Sequence, residues 1–179
     1  MTSDPGRYNS VAIFLHWLLA IAIIGSLCVG LYMTNIPMSP TRLKFYNWHK
    51  WAGIIILLLS AARLLWRLLH MPPPLPNSTP SWQQWAARAG HSALYVFFFA
   101  VPLAGWAYSS AAGFPIVLFG VIPLPDWVPK DRELAEVLKP IHQYLAYALA
   151  ATIIVHVAAA LKHQFIDRDR ILARMGLGS

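Results

Sequence analysis

The sequence predicts an all-α integral membrane protein, built as an up-down bundle of four transmembrane helices. Hydrophobic residues make up 58% of the 179 residues and charged residues only 12%, whereas a soluble domain is about 25% charged. A helix needs about 20 apolar residues to cross a bilayer. Four stretches meet that requirement, and we expect residues 1–179 to form a single transmembrane domain whose spans cover about residues 11–33, 48–69, 85–109 and 139–165.

The ends of these stretches carry recognisable signals. The first stretch is longer than the hydrophobic region of a signal peptide and no A-x-A-like cleavage site follows it, so we expect a retained helix. The second ends before Pro72, the first of three prolines that cannot continue a helix. The third contains Pro102, which predicts a kink. Before the fourth, a polar piece at Asp131–Val137 predicts a short surface helix.

Charge placement predicts the orientation and limits the classes of partner. With the N-terminus inside, the inner segments hold more Lys and Arg than the outer ones, which favours cytoplasmic termini. The net charge of +7 is spread over several loops, so it indicates anionic lipid or a small anionic substrate and not nucleic acid. The single cysteine, Cys28, excludes an internal disulfide, and the absence of C-x-x-C-H excludes covalent haem attachment.

Four histidines match in depth across the predicted bundle. His142 and His156 lie fourteen residues apart on the fourth stretch, which places them on nearly the same helix face and about 21 Å apart along the axis. His16 lies near the inner end of the first stretch, and His49 near the outer end of the second. The up-down topology therefore pairs His16 with His156 at the inner level and His49 with His142 at the outer level.

Two imidazoles at each level are the ligand set that two b-type haems require. A bare Zn²⁺ site usually has three or four ligands, often including a thiolate or carboxylate, and the four spans contain no Asp or Glu. The absence of membrane carboxylates also argues against a proton pump or cation transporter. A histidine-rich metal-binding or packing module without haem remains the alternative. Close approach of a haem to the helices would use small residues, among them Gly25, Gly30 and Gly53.

Further polar side chains cluster toward the inner level. His91 begins the third span there, and His163 lies two helical turns beyond His156. Both are candidates to hydrogen-bond a quinone carbonyl or a haem propionate, or to relay a proton, and a purely structural role is equally compatible with the spacing. His70 is expected to lie among lipid headgroups. Basic residues nearby are candidates for haem propionates or lipid phosphates, namely Arg63, Arg67, Arg88 and Lys162.

Short motifs lie in a fixed order along the chain, from about Tyr8 to Met175. They are Leu15-His16-Trp17-Leu18, Trp48-His49-Lys50-Trp51-Ala52-Gly53, Ala62-Arg63-Leu64-Leu65-Trp66-Arg67, Gly90-His91-Ser92-Ala93-Leu94-Tyr95, Pro102 to Gly105, Ile141-His142-Gln143 and His156 to His163. None is specific alone, but their order and spacing resemble the bacterial cytochrome b561 family of four-helix dihaem membrane proteins. Within that family the pattern is most similar to the superoxide oxidase type.

The resemblance implies a cofactor and a role for each histidine. His16 and His156 would bind the iron of an inner haem b, and His49 and His142 that of an outer haem b. Ubiquinone would bind near the inner haem, where His91 and His163 lie. The protein would be a multi-pass component of the bacterial inner (plasma) membrane.

The implied activity is that of a superoxide:ubiquinone oxidoreductase. Superoxide would deliver electrons at the outer, periplasmic face, and a basic rim of Arg42, Lys44 and Lys50, with Lys130 and Arg132 beyond it, would steer the anion. Ordinary contact with lipid headgroups is the other explanation of that rim. Residues 111–139 match the family pattern poorly, and this loop would cover the outer haem, where the donor acts. A second activity is therefore also considered, that of an electron-carrier subunit linking a dehydrogenase or another redox protein to quinone.

Overall fold

The computed structural model describes residues 6–74, 80–169 and 171–177. They form four long helices in up-down order, followed by a short 3₁₀ turn at Ala173–Met175. The helices are α1 (Ser10–Asn35), α2 (Pro40–Leu69), α3 (Ser81–Ala111) and α4 (Arg132–Phe165). Each is long and apolar enough to cross a membrane, which confirms the predicted all-α membrane bundle.

Polar side chains cap the N-termini of three helices. Two of these helices, α2 and α4, begin well before the spans predicted from the sequence. Asn9 Oδ1 accepts the Ala12 amide at the beginning of α1. Ser39 caps α2, and Pro40 occupies the first turn, where its missing N–H has no cost. Helix α2 therefore begins eight residues (48 to 40) before the predicted span. Asp131 caps α4, so the polar piece predicted as a separate surface helix is instead the first part of α4.

The helices pack in sequence order. Helix α1 packs along α2, α2 along α3, and α3 along α4, whereas neither α1 nor α2 packs closely along α4. A hydrophobic cluster in the middle of the bundle draws on all four helices: Leu19, Ile23, Ile56, Leu94 and Leu149. Most other large apolar side chains of the spans are exposed, as expected for side chains that face lipid.

The two ends of the bundle are closed differently. At the end that carries both termini, which we call the inner end, the C-terminal segment folds over α1: the Trp17 indole donates to the Met175 carbonyl, and the Tyr8 amide to the Arg174 carbonyl. The Arg174 guanidinium in turn donates to the carbonyls of Gly6, Pro73 and Pro74. We call the opposite end the outer end.

The outer end carries a small β-hairpin that the sequence did not predict. Strands β1 (Val117–Leu118) and β2 (Ile122–Pro123) pair antiparallel. Phe119 and Gly120, in the connecting turn, both have positive φ, 54° and 76°. The Trp51 indole donates to the Val117 carbonyl at 2.7 Å, so the hairpin is fixed to α2 close to His49.

Candidate functional site

The structure brings the predicted inner histidines together. His16 of α1 and His156 of α4 face each other with ring centres 6.3 Å apart and ring planes at 64°. The two helices that carry them are not in close packing contact. The imidazoles therefore approach across a gap between helices, and not as part of a packed helix interface.

The outer histidines form a second pair of nearly the same dimensions. His49 of α2 and His142 of α4 have ring centres 6.1 Å apart and ring planes at 75°. Helices α2 and α4 likewise lack close packing. Helix α4 thus supplies one imidazole to each pair, as the fourteen-residue spacing predicted.

Both separations suit two imidazoles bound to opposite faces of one metal ion. A metal–imidazole bond of about 2 Å on each side, plus roughly 1.1 Å from each nitrogen to its ring centre, gives about 6 Å between ring centres. Two hydrogen-bonded or stacked rings would lie closer together, as Trp66 and His70 do at 3.9 Å. With an imidazole on each side and no carboxylate in either pair, the donor set fits a bis-imidazole haem better than a bare cation.

Backbone carbonyls orient both outer rings. His49 Nδ1 lies 3.1 Å from the Ser26 carbonyl oxygen, and His142 Nδ1 lies 3.0 Å from that of Val101. A carbonyl oxygen only accepts, so each Nδ1 carries the proton and donates it. That tautomer leaves Nε2 with a lone pair, which is the usual arrangement of a histidine that binds a metal. Within the described ranges the His16 and His156 rings have no comparable carbonyl partner.

Glycines make room for the outer imidazoles. A β-carbon on Gly105 of α3 would stand 2.8 Å from His142 Cε1, and one on Gly30 of α1 would stand 3.2 Å from His49 Cε1. Any side chain at Gly105 would push the ring aside. Gly30 was among the small residues predicted to allow close approach, but Gly105 was noted only as part of the Pro102 kink. Gly25, also predicted, has nothing within 4 Å.

The two predicted quinone residues lie in different surroundings. The ring centre of His91 is 5.5 Å from that of His156, so His91 joins the inner pair as a third imidazole. His163 instead contacts two carboxylates that follow the end of α4. Its Nδ1 lies 2.7 Å from Asp169 Oδ2 and 3.2 Å from Asp167 Oδ2.

A reversal of the chain after α4 builds the His163 contact. The Asp169 amide donates to the His163 carbonyl, and Arg168, with φ of 58°, turns the backbone between the two aspartates. Histidine with two aspartates is also a ligand set for divalent cations, but Lys162 already forms an ion pair with Asp167. The sequence reasoning missed both aspartates, because only this turn brings them back to the helix.

Two arginines line a cleft at the inner end, between α1, α2 and α3. The Arg63 guanidinium donates to the Ala12 carbonyl at 3.3 Å. The Arg67 guanidinium lies over the Tyr95 ring, 5.7 Å from its centre. His70 stacks on Trp66 at the mouth of the same cleft, whereas Arg88 is exposed.

The proposed basic rim is partly tied into the outer connections. Arg42 donates to the Ile36 carbonyl at 2.8 Å and to the Tyr46 hydroxyl at 3.0 Å. The Lys50 ammonium donates to the carbonyls of Phe114 and Pro115. Lys44 is exposed. Two of the three therefore also hold loops of the outer end in place.

The profile of the prokaryotic cytochrome b561 family matches residues 7–178. The chain belongs to this family. Members are membrane electron carriers with b-type haem, and the paired histidines of this four-helix bundle suit that cofactor. Family membership therefore favours haem over a haem-free metal-binding or packing module.

Named members of the cytochrome b561 family match nearly the whole chain. The chain is 36% identical to cytochrome b561 homolog 2 of Escherichia coli, over 97% of this chain and 93% of the relative. It is 30% identical to cytochrome b561 homolog 1 of the same organism, over 94% and 96%. It is 29% identical to a probable superoxide oxidase, CybB, of Yersinia pestis, over 94% and 95%. The predicted family is confirmed, but the superoxide oxidase is a more distant relative than homolog 2.

Proposed function

We propose that this chain is a dihaem b-type membrane oxidoreductase that moves electrons from superoxide at its outer end to ubiquinone near its inner end. The observation that carries the proposal is the presence of two histidine pairs, with ring centres 6.3 Å and 6.1 Å apart, at opposite ends of one membrane bundle. Bound haem supplies one-electron carriers at both levels, which side chains alone do not.

Each histidine pair holds one iron in this proposal. His16 and His156 bind the inner haem, and His49 and His142 bind the outer haem. The carbonyls of Ser26 and Val101 support the outer assignment, since they hold Nδ1 and leave Nε2 free. The lack of close packing between α4 and the first two helices is compatible with a flat cofactor between the paired imidazoles.

The outer end receives superoxide. One-electron oxidation of superoxide releases O₂, so the site has only to attract the anion and bring it within electron-transfer distance. Arg42, Lys44 and Lys50 provide positive charge there, and fields of this kind raise the encounter rates of small anions. Lys50 directly follows His49 and contacts the loop that covers this end. The resemblance to the probable superoxide oxidase supports this donor.

The inner end reduces ubiquinone. Two superoxide anions supply two electrons, and two protons from the cytoplasm complete ubiquinol, so that two O₂ are released for each ubiquinol formed. His91 lies beside the inner pair and donates to one quinone oxygen. Asp169 holds His163 at Nδ1. The Nε2 atom of His163 then faces the second quinone oxygen and passes a proton to it. Both termini are then cytoplasmic, and the bundle lies in the bacterial inner membrane.

A superoxide pulse under anaerobic conditions tests the proposal. Purified protein in lipid nanodiscs is mixed with a superoxide solution, with and without added ubiquinone, while the haem α-band is followed. Immediate haem reduction, with reoxidation when quinone is present, supports superoxide oxidation. Haems that dithionite reduces but superoxide leaves oxidised would rule out this donor.

The second candidate is an electron-carrier subunit that links another redox protein to the quinone pool. The two relatives of 36% and 30% identity carry names that specify no donor, and that observation favours a carrier. Co-purification of a dehydrogenase from membranes, together with indifference to superoxide, would support this candidate over the first.

A further inference from the structure

Arg63 is a membrane-span cation that has no anionic partner among the residues that the structure describes. It lies four helical turns beyond His49 on α2, within the apolar part of the helix. Its Nη1 donates to the Ala12 carbonyl, but no ion pair to it exists among residues 6–74, 80–169 and 171–177. A charged side chain in a membrane interior is costly unless it is paired or hydrated. Arg63 therefore calls for an anion, and no described residue supplies one.

The position of Arg63 places it at the inner histidine pair. Ala12, its hydrogen-bond partner, precedes His16 by one helical turn and so lies on the same side of α1. Leu15, the neighbour of His16, lines the same cleft as Arg63.

Among the described residues, the contacts of the outer pair include no cation. The rings of His49 and His142 contact Ser26, the Val101 carbonyl and each other. The nearest cation along the chain, Lys50, directs its ammonium to loop carbonyls at the outer surface. The two levels therefore have similar histidine pairs but different charge environments.

We propose that Arg63 pairs with a carboxylate of the inner haem and raises the reduction potential of that haem above the outer one. This inference rests on the haem assignment of the proposed function. Haem b carries two carboxylates, and a guanidinium binds a carboxylate through a charge-assisted, often bidentate contact. A nearby positive charge stabilises an added electron, and the effect is large where the dielectric constant is low. Arg63 thereby favours movement of electrons from the outer to the inner end.

Redox titration of variants tests this role without relying on turnover. Arg63→Gln removes the charge, Arg63→Lys retains it, and Arg7→Gln removes an exposed charge at the inner end as a matched control. The purified proteins are titrated spectroscopically with redox mediators, and each haem gives one reduction wave. The His16→Ala variant keeps only the outer haem and so identifies the wave of that haem. In Arg63→Gln we expect the inner reduction equilibrium to fall at least tenfold, which is about 59 mV for one electron. The outer wave stays in place, and Arg63→Lys recovers most of the shift.

The outcomes separate this inference from the proposed function. Selective loss of the inner haem in Arg63→Gln, with retention in Arg63→Lys, also supports the pairing. An unchanged inner wave in Arg63→Gln, or an equal shift of both waves, would overturn it. Failure of superoxide to reduce the haems would remove the proposed donor and leave the Arg63 titration unaffected. Fewer than two haems per wild-type chain would instead refute the haem assignment itself.

Discussion

Gly105 and His142 are in such close contact that a β-carbon on the glycine would stand 2.8 Å from Cε1 of the imidazole. Real β-carbons do not approach a neighbour so closely, so either the ring or α3 would have to move. His142 is also held by the Val101 carbonyl, one turn before Gly105 on the same helix. Helix α3 thus sets the position of an imidazole that α4 provides.

This contact predicts that Gly105→Ala selectively weakens the outer haem site. The added methyl displaces the His142 ring from its position opposite His49, so we expect outer haem occupancy to fall by more than half while inner occupancy is unchanged. Haem per protein, measured by the pyridine haemochrome assay, checks this. Gly90→Ala, on the same helix, is the matched control, because a β-carbon there meets nothing within 4 Å. Full outer occupancy in Gly105→Ala would show that the ring has another stable position.

The contact between His163 and Asp169 predicts a separate effect at the quinone site. Asp169→Asn weakens the contact that holds His163 Nδ1, so quinol formation should slow about tenfold, a size typical of losing such an orienting partner. Haem content and haem reduction by the donor should not change. Stopped-flow measurement of haem reoxidation by a soluble ubiquinone analogue checks this. Asp126→Asn, at an exposed outer loop, is the control, and equal reoxidation rates in both variants would remove Asp169 from the quinone site.

The basic rim predicts a reaction rate that depends on salt. If Arg42, Lys44 and Lys50 steer superoxide, the bimolecular rate of haem reduction falls as ionic strength rises, because salt screens exposed charges beyond about 8–10 Å. Lys44→Gln should lower the low-salt rate and flatten the salt dependence without loosening the outer loop. Lys50→Gln should also lower the low-salt rate and flatten the salt dependence. In addition, it should weaken the anchoring of the turn at Phe114 and Pro115. A salt-independent rate in the wild-type protein would exclude steering.

Hydropathy and spacing predicted much of this architecture. Four apolar stretches predicted the four helices, and the fourteen-residue spacing of His142 and His156 predicted that α4 serves both levels. Helix α2 extends eight residues before the predicted span, because the Ser39-Pro40 cap starts it and hydropathy does not register a cap. The hairpin after Val117 escaped prediction because its strands are only two residues each.

The missed parts of the site depend on tertiary geometry. Whether Gly105 faces His142 depends on the rotation of α3 about its axis, which no local pattern in an all-apolar helix specifies. The contact between Asp169 and His163 requires a backbone reversal at Arg168, which a non-glycine residue rarely adopts. His91 was correctly placed near the inner level, but only the structure shows its ring 5.5 Å from that of His156.

The number of haems in two single variants tests the central claim, one haem for each histidine pair. The haem content of purified wild type, His156→Ala and His142→Ala is measured by the pyridine haemochrome assay, with the low-temperature spectrum identifying which haem remains. We predict two haems in the wild type and one in each variant, with His156→Ala losing the inner haem and His142→Ala the outer. Two haems retained in either variant, or the same haem lost from both, would contradict the account.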